Sequence, residues 1–133
     1  MFSKIVTDVY GLLASQAWAT GVGLPAYPVN YKGEVANTGF VRVHIIPLSG
    51  ERAAYAGSKR RSGMVIFTVF HPAGKGDLAL ASAISGIASL LENKTLPNGT
   101  QFSVGAVGQG GTDPINSSLY AVEYSINFQI FGD

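Results

Sequence analysis

The spacing of apolar residues changes along the chain, and each change marks an element. Phe2, Ile5, Val6, Val9, Leu12 and Leu13 recur at helical spacing. This predicts a first helix capped by Ser3, with Lys4, Thr7, Asp8 and Ser15 toward water and an end near Ala19 to Gly21. The Gly and Pro content from Gly21 to Gly39 predicts an irregular connection, in which Tyr27 to Tyr31 can form a short edge strand held by its aromatics. Val41, Val43 and Ile45 then alternate with Arg42 and His44, the pattern of a strand with one buried face. Met64 to Phe70 is apolar on both faces. Such a strand is expected at the centre of a sheet, covered by helices on one side and by something else on the other, a neighbouring subunit being one candidate.

Pro72 cannot extend a central ladder, and Asp77 is placed to cap a second helix. That helix carries Leu80, Ile84, Ile87 and Leu91 on one stripe and keeps Ser82, Ser85, Ser89 and Glu92 away from it. After the turn Leu96-Pro97-Asn98-Gly99, the residues Phe102, Val104 and Ala106 alternate as a shorter strand and lead into the glycine-rich connection GQGGTDP. The closing segment has the clearest pattern. Tyr120, Val122, Tyr124, Ile126, Phe128 and Ile130 point one way, and Glu123, Ser125, Asn127 and Gln129 point the other. In the order α-β-β-α-β-β, these elements predict a single α+β domain over residues 1–133. Its sheet is expected to be mainly antiparallel, with four to five strands and two helices packed on one face.

Composition adds a constraint on the surface. Charged residues are 13% of the chain and hydrophobic residues 47%, whereas ordinary soluble domains are about 25% charged. So little charge implies either a surface partly covered by copies or partners, or a compact monomer whose exterior is rich in Ser, Thr and Asn. The net charge of +1 is too mild to announce nucleic acid, so any phosphate contact would be local. Without cysteine the fold relies on packing alone, which suits a reducing cytoplasm. Asp8 interrupts the first apolar run, which argues against a signal peptide ending at Ala17-Trp18-Ala19. No apolar segment approaches the roughly 18 residues of a membrane span. In a chain that is not secreted, the sequons at Asn93, Asn98 and Asn116 are incidental.

The residues that carry chemistry do not assemble into a catalytic pattern. His44 and His71 belong to no pair with metal-ligand spacing. Gly74-Lys75-Gly76 lacks the earlier glycine and the Ser or Thr of a phosphate loop, and Gly21-Val22-Gly23 follows a helix rather than a strand. The carboxylates are scattered, and no serine lies in a G-x-S-x-G turn. An enzymatic role, a cofactor and a metal are therefore not expected. What stands out is a basic hairpin loop, SGERAAYAGSKRR, with Arg52, Lys59, Arg60 and Arg61 around Tyr55 and only Glu51 opposing them. Such a loop can be a solvated tip. Alternatively its arginine forks pair with carboxylates of a neighbouring copy while the tyrosine adds rigid contact area.

The run VRVHIIPLSGERAAYAGSKRRSGMVIFTVFHPAGKGDLALASAISGIASLL resembles the tail-terminator-like proteins of long-tailed bacteriophages. In that family a strand ending in a hydrophobic-Pro motif is followed by a loop rich in Arg and Gly. Next comes a strand of the form G-x-x-x-x-x-V-F-x-P-x-G-x-G, matched here from Gly63 through Val69, Phe70, Pro72 and Gly74 to Gly76, and then an Ala-rich helix. The likeness covers nearly the whole chain, although the GQGGTDP connection has no counterpart in it. The resemblance implies a homo-oligomeric ring, a hexamer in the lambda-like case. That ring caps the tail tube, stops its polymerisation and offers the surface to which the head attaches. It implies as partners further copies of the chain, a tail tube protein and a head-tail connector protein, with DNA passing the lumen and no membrane. The location would be the virion at the head-tail joint, after assembly in the host cytoplasm. Arg52, Tyr55, Lys59, Arg60 and Arg61 would then contact a neighbour, the tube or lumen DNA. A different head-tail connector, such as a head-closure protein, and a small nucleic-acid-binding module stay open beside this reading.

Overall fold

The computed structural model describes residues 2–28, 39–52, 59–72, 78–108, 110–112 and 119–132. Two short helices, α1 (Phe2–Leu13) and α2 (Gln16–Gly21), precede β1 (Ala26–Pro28), β2 (Phe40–Arg52) and β3 (Lys59–Pro72). Helix α3 (Leu78–Leu91), the two-residue strands β4 (Gln101–Phe102), β5 (Ala106–Val107) and β6 (Gly111–Thr112), and the long β7 (Leu119–Gly132) follow. Among the described residues the strands form one seven-stranded sheet in the order β1-β2-β3-β7-β4, with β5 and β6 also pairing with β7. β1 runs parallel to β2, and the other pairings are antiparallel.

The α+β class expected from the pattern holds, with four differences. The helix expected to run on to Ala19–Gly21 is broken, because Ser15 caps a new one: its Oγ accepts from the Trp18 N–H at 3.3 Å and donates to the Leu12 carbonyl at 2.6 Å. At the other end the helix already includes Phe2 and Ser3, so Ser3 is not its cap. The strand expected through Phe102, Val104 and Ala106 is also broken. Phe102 pairs with Phe128 and Ala106 with Ser125, so the register slips by one residue between them and leaves Val104 outside any strand and exposed. Short pieces such as β4 to β6, together with β1, raise the strand count above the expected four to five and make the sheet mixed.

The three helices lie on one face of the sheet. There Val41, Val43, Val65, Phe67, Val69, Tyr124, Ile126, Phe128 and Ile130 meet Ile5, Val9, Trp18, Leu80, Ile84, Ile87 and Leu91 in a single core. The alternation in β7 and the stripe of α3 are thus used as the sequence pattern requires. Trp18 stacks on Phe67 at 6.1 Å between ring centroids and donates its indole N–H to the Leu24 carbonyl at 2.8 Å. Two glycines let backbones approach closely. A Cβ on Gly86 of α3 would strike the carbonyl of Gly21, and one on Gly63 of β3 would lie 2.6 Å from the Phe128 ring. On the opposite face Phe40, Phe70 and Leu119 form a second, smaller cluster joined by Tyr27 and Ala121. Met64, Ile66 and Thr68 of β3 are only half-buried there, so the central strand is less covered on that side than on the helical one.

Candidate assembly interface

β2, β3 and β7 are much longer than the helix that packs on them. Thirteen or fourteen residues of strand extend about 45 Å at ~3.4 Å per residue. The 14 residues of α3 cover about 21 Å. Ile130 of β7 is fully buried, in register with Arg61 of β3 and Gly50 of β2. Two further rows continue past it, Glu51–Arg60–Phe131 and Arg52–Lys59–Gly132. The sheet therefore ends in a three-stranded arm.

Four of the five residues singled out from the sequence lie in that arm: Arg52 ends β2, and Lys59, Arg60 and Arg61 begin β3. They were expected in a loop. They are strand residues because the antiparallel ladder with β7 continues as far as Lys59 and Gly132. Tyr55 lies outside the described residues. The register places Arg52 opposite Lys59 and Arg60 opposite Glu51. Arg61 is exposed.

At the other end of the sheet, an open groove of about 390 Å³ runs between α3 and the edge made by β5, β6 and β7. Leu80, Ala81, Ile84, Val107, Tyr120 and Val122 line it, together with Ser85 and two glycines, and none of these described lining residues is charged. Of the lining, Val107 is 61% exposed. The groove has these walls because Gly110 lets the edge segment run close against β7; a Cβ on Gly110 would come within 2.8 Å of Val122.

Two carboxylates have structural roles that the pattern of the sequence did not reveal. Asp8, expected toward water, is 4% exposed. Its Oδ1 accepts from the N–H of Asn98 at 2.9 Å and from that residue's side-chain amide at 3.0 Å. Its Oδ2 accepts from the Thr100 hydroxyl at 2.7 Å and the Thr100 N–H at 3.3 Å. Its position between Ile5 and Leu12, on the apolar stripe of α1, was the available signal. Glu92, at the end of α3, accepts from the Tyr124 hydroxyl at 2.5 Å and from the Gly105 N–H at 3.0 Å. The Tyr124 hydroxyl and then the Gly105 N–H hold the Glu92 carboxyl below its ordinary value, while burial and then Glu92 push the Tyr124 phenol up. Both contacts fasten turns. His44 and His71 stand in separate rows of the sheet, the first at its middle opposite Ile66 and the second near one end opposite Tyr120. Among the described residues no group of three or more His, Asp or Glu is placed to hold a metal, and no helix is long and apolar enough to cross a membrane.

The arrangement thus defines an α+β domain with three helices on one face of a mixed sheet, a basic strand arm at one end and an apolar groove at the other. Comparison with solved structures finds the same fold elsewhere. One, a protein that carries no functional name, superposes with a TM-score of 0.75 over 98% of this chain and 95% of its own at 18% identity. A second is a chain of the virion of native gene transfer agent (GTA) particle, with a TM-score of 0.63 over 95% of this chain and 93% of its own at 17% identity. At these identities the likeness is one of fold. No family model matches the chain, and no curated protein does.

Proposed function

We propose that this chain is a structural protein of a phage-like particle, and within that class a tail terminator. On this reading it forms a ring on the end of the tail tube, stops further tube growth and presents the surface on which the head docks. The observation that carries the reading is the end-to-end likeness in fold to a chain of a gene transfer agent virion, 95% of one chain on 93% of the other. The match of the Gly63 to Gly76 segment to the tail-terminator-like pattern supports the finer assignment. The low charge content and the basic arm agree with a subunit that buries much of its surface against copies and partners. In this role the protein works by contact, as a structural component rather than an enzyme, and needs neither cofactor nor metal. Its place is the head-tail joint of the virion.

The test is absolute mass by light scattering across a concentration series, followed by electron microscopy of any large species. A closed ring near six times the 13.9 kDa of the chain is the expected result, and a protein that stays monomeric at every concentration overturns it. The gene transfer agent likeness also accommodates another head-tail connector, such as a head-closure protein. Binding to tail tube rather than to portal protein is expected of the terminator, and the reverse preference selects the connector.

A further inference from the structure

On the sheet face away from the helices, a cation and an anion flank an apolar midline. β3 forms that midline with Met64, Ile66 and Thr68, all half-buried. Its other face is packed in the core, so this strand has the sequence of one that is covered on both sides. Arg42 of β2 and Glu123 of β7 are each in register with Thr68, one on either side of it. With neighbouring strands ~4.8 Å apart, each stands about 5 Å from the centre line of β3. The Arg42 guanidinium lies over the Phe40 ring, 5.8 Å from its centroid, and Phe40 belongs to the small cluster on this same face. Glu123 is exposed. We infer that this face pairs with the same face of a second copy of the chain, about a two-fold axis that runs along β3.

Rotation about that axis exchanges the β2 side of the face with the β7 side. Arg42 of each copy then meets Glu123 of the other, and the Ile66 and Thr68 stripe meets its own counterpart. An axis laid across the strands would instead set Arg42 against Arg42 and Glu123 against Glu123, and such like-charge contacts suppress association. Charge therefore selects both the orientation and the occupant, because a cation and an anion placed evenly about an apolar midline complement a turned copy of themselves. Packed sheets keep their strand directions within about 30° of each other, and a turn of that size moves a residue about 5 Å from the axis by about 2.5 Å, within the reach of an arginine side chain. His44, on the same face, falls opposite Ser125 of the second copy and meets no charge there. The contact is isologous and closes with two copies. It engages fewer side chains than the roughly 20–30 per partner of a standard interface, so the pairing is weak. It is independent of the ring reading, since it joins two copies whether or not either belongs to a ring.

The experiment follows the mass of the full chain by sedimentation equilibrium from about 1 μM to about 1 mM, the range of weak association. It compares the unsubstituted chain, Arg42→Glu, Glu123→Arg and the variant carrying both, each checked for native circular dichroism. The unsubstituted chain is expected to double the mass of its basic species, monomer or ring, as concentration rises. Each single reversal sets like charges together at both contact points, and is expected to raise the concentration needed for doubling at least about tenfold. The variant with both reversals regains opposite charges. An equal mixture of the two single variants regains them too, because each now complements the other rather than itself. Both are expected to double as the unsubstituted chain does. If Arg42→Glu does not fold, Glu123→Arg at its exposed position and Thr68→Lys on the axis carry the test, and both are expected to lose the doubling. An unsubstituted chain that shows no doubling at the highest concentration, folded single variants that double normally, or combined reversals that restore nothing would overturn the inference and leave the face to a partner other than this chain. The ring reading is judged separately, by the mass of the basic species.

Discussion

Replacing Asp8 with alanine tests whether a buried carboxylate fastens the turn after α3 to the first helix. The substitution withdraws the acceptor from four donors, two on Asn98 and two on Thr100. Asn98 is exposed and can turn its donors to water, but Thr100 is 0% exposed and cannot. A buried donor left without a partner costs about 1–3 kcal/mol, so the two Thr100 donors set an expected loss of about 3–5 kcal/mol. This is a large share of the roughly 5–15 kcal/mol that holds a domain folded. Asp8→Asn keeps the shape, yet its amide nitrogen must face one of the two donor pairs, so about half that loss is expected. Urea unfolding measures both, with an unchanged dependence on denaturant indicating that stability alone has moved. A cycle with Thr100→Val should show coupling between the two positions of at least about 0.5 kcal/mol. A loss below about 1 kcal/mol for Asp8→Ala, with no coupling to Thr100, would refute the reasoning.

Four further outcomes are expected. The Glu92 carboxyl titrates below its ordinary value of 4.5 in the folded chain, so its contact with Tyr124 contributes stability above that value and loses it as pH falls through the lowered one; Glu92→Gln should remove this acid-side dependence from urea midpoints measured across pH. The Tyr124 phenol is shifted in the opposite sense, so its contribution is complete below the ordinary tyrosine value and disappears as pH rises through the raised one; in an ultraviolet titration, at least one of the six tyrosines should ionise only as the protein unfolds. Gly86→Ala should lower stability by about 1–3 kcal/mol in spite of alanine's better helix propensity, because the new methyl group meets the Gly21 carbonyl; a raised melting temperature would contradict that close approach. Replacing Arg60 and Arg61 together with glutamate should leave the melting temperature of the monomer nearly unchanged and impair assembly, and rings of normal size at normal concentration would count against a role for the arm.

The parts of the fold that the sequence displayed are those in which one buried face repeats over many residues. The stripe of Leu80, Ile84, Ile87 and Leu91 and the alternation from Tyr120 to Ile130 both survive intact. Local competition and distant partners concealed the rest. Ser15 splits the first helix by bonding to backbone that a continuous helix would otherwise use. Asp8 resembled a solvent-facing residue because the donors that bury it lie 90 and 92 residues further along. Val104 follows an alternating pattern but is exposed, since its segment is placed by a slipping register against β7 rather than by its own periodicity. Of the candidate interface, the cluster of charge was visible, but not that its residues are strand. The groove could not be anticipated, because its walls come from three separate segments that approach closely at Gly110.

β7 pairs with β3 along one side and with β4, β5 and β6 along the other, yet it is the last strand in the chain. During synthesis, the β2–β3 hairpin and the α3 to β6 region both emerge before the strand that joins them. Until β7 arrives, β3 has a free edge fourteen residues long, and an unpaired edge of that kind is a template for pairing with another chain. The sheet therefore cannot close progressively from its N-terminal end; it closes in one late step that brings together segments distant in sequence, which makes folding slow relative to helical domains of the same size. Ribosomes translating one message in close succession would hold many such edges near one another, so high-level expression is the condition under which this fold is most exposed to aggregation.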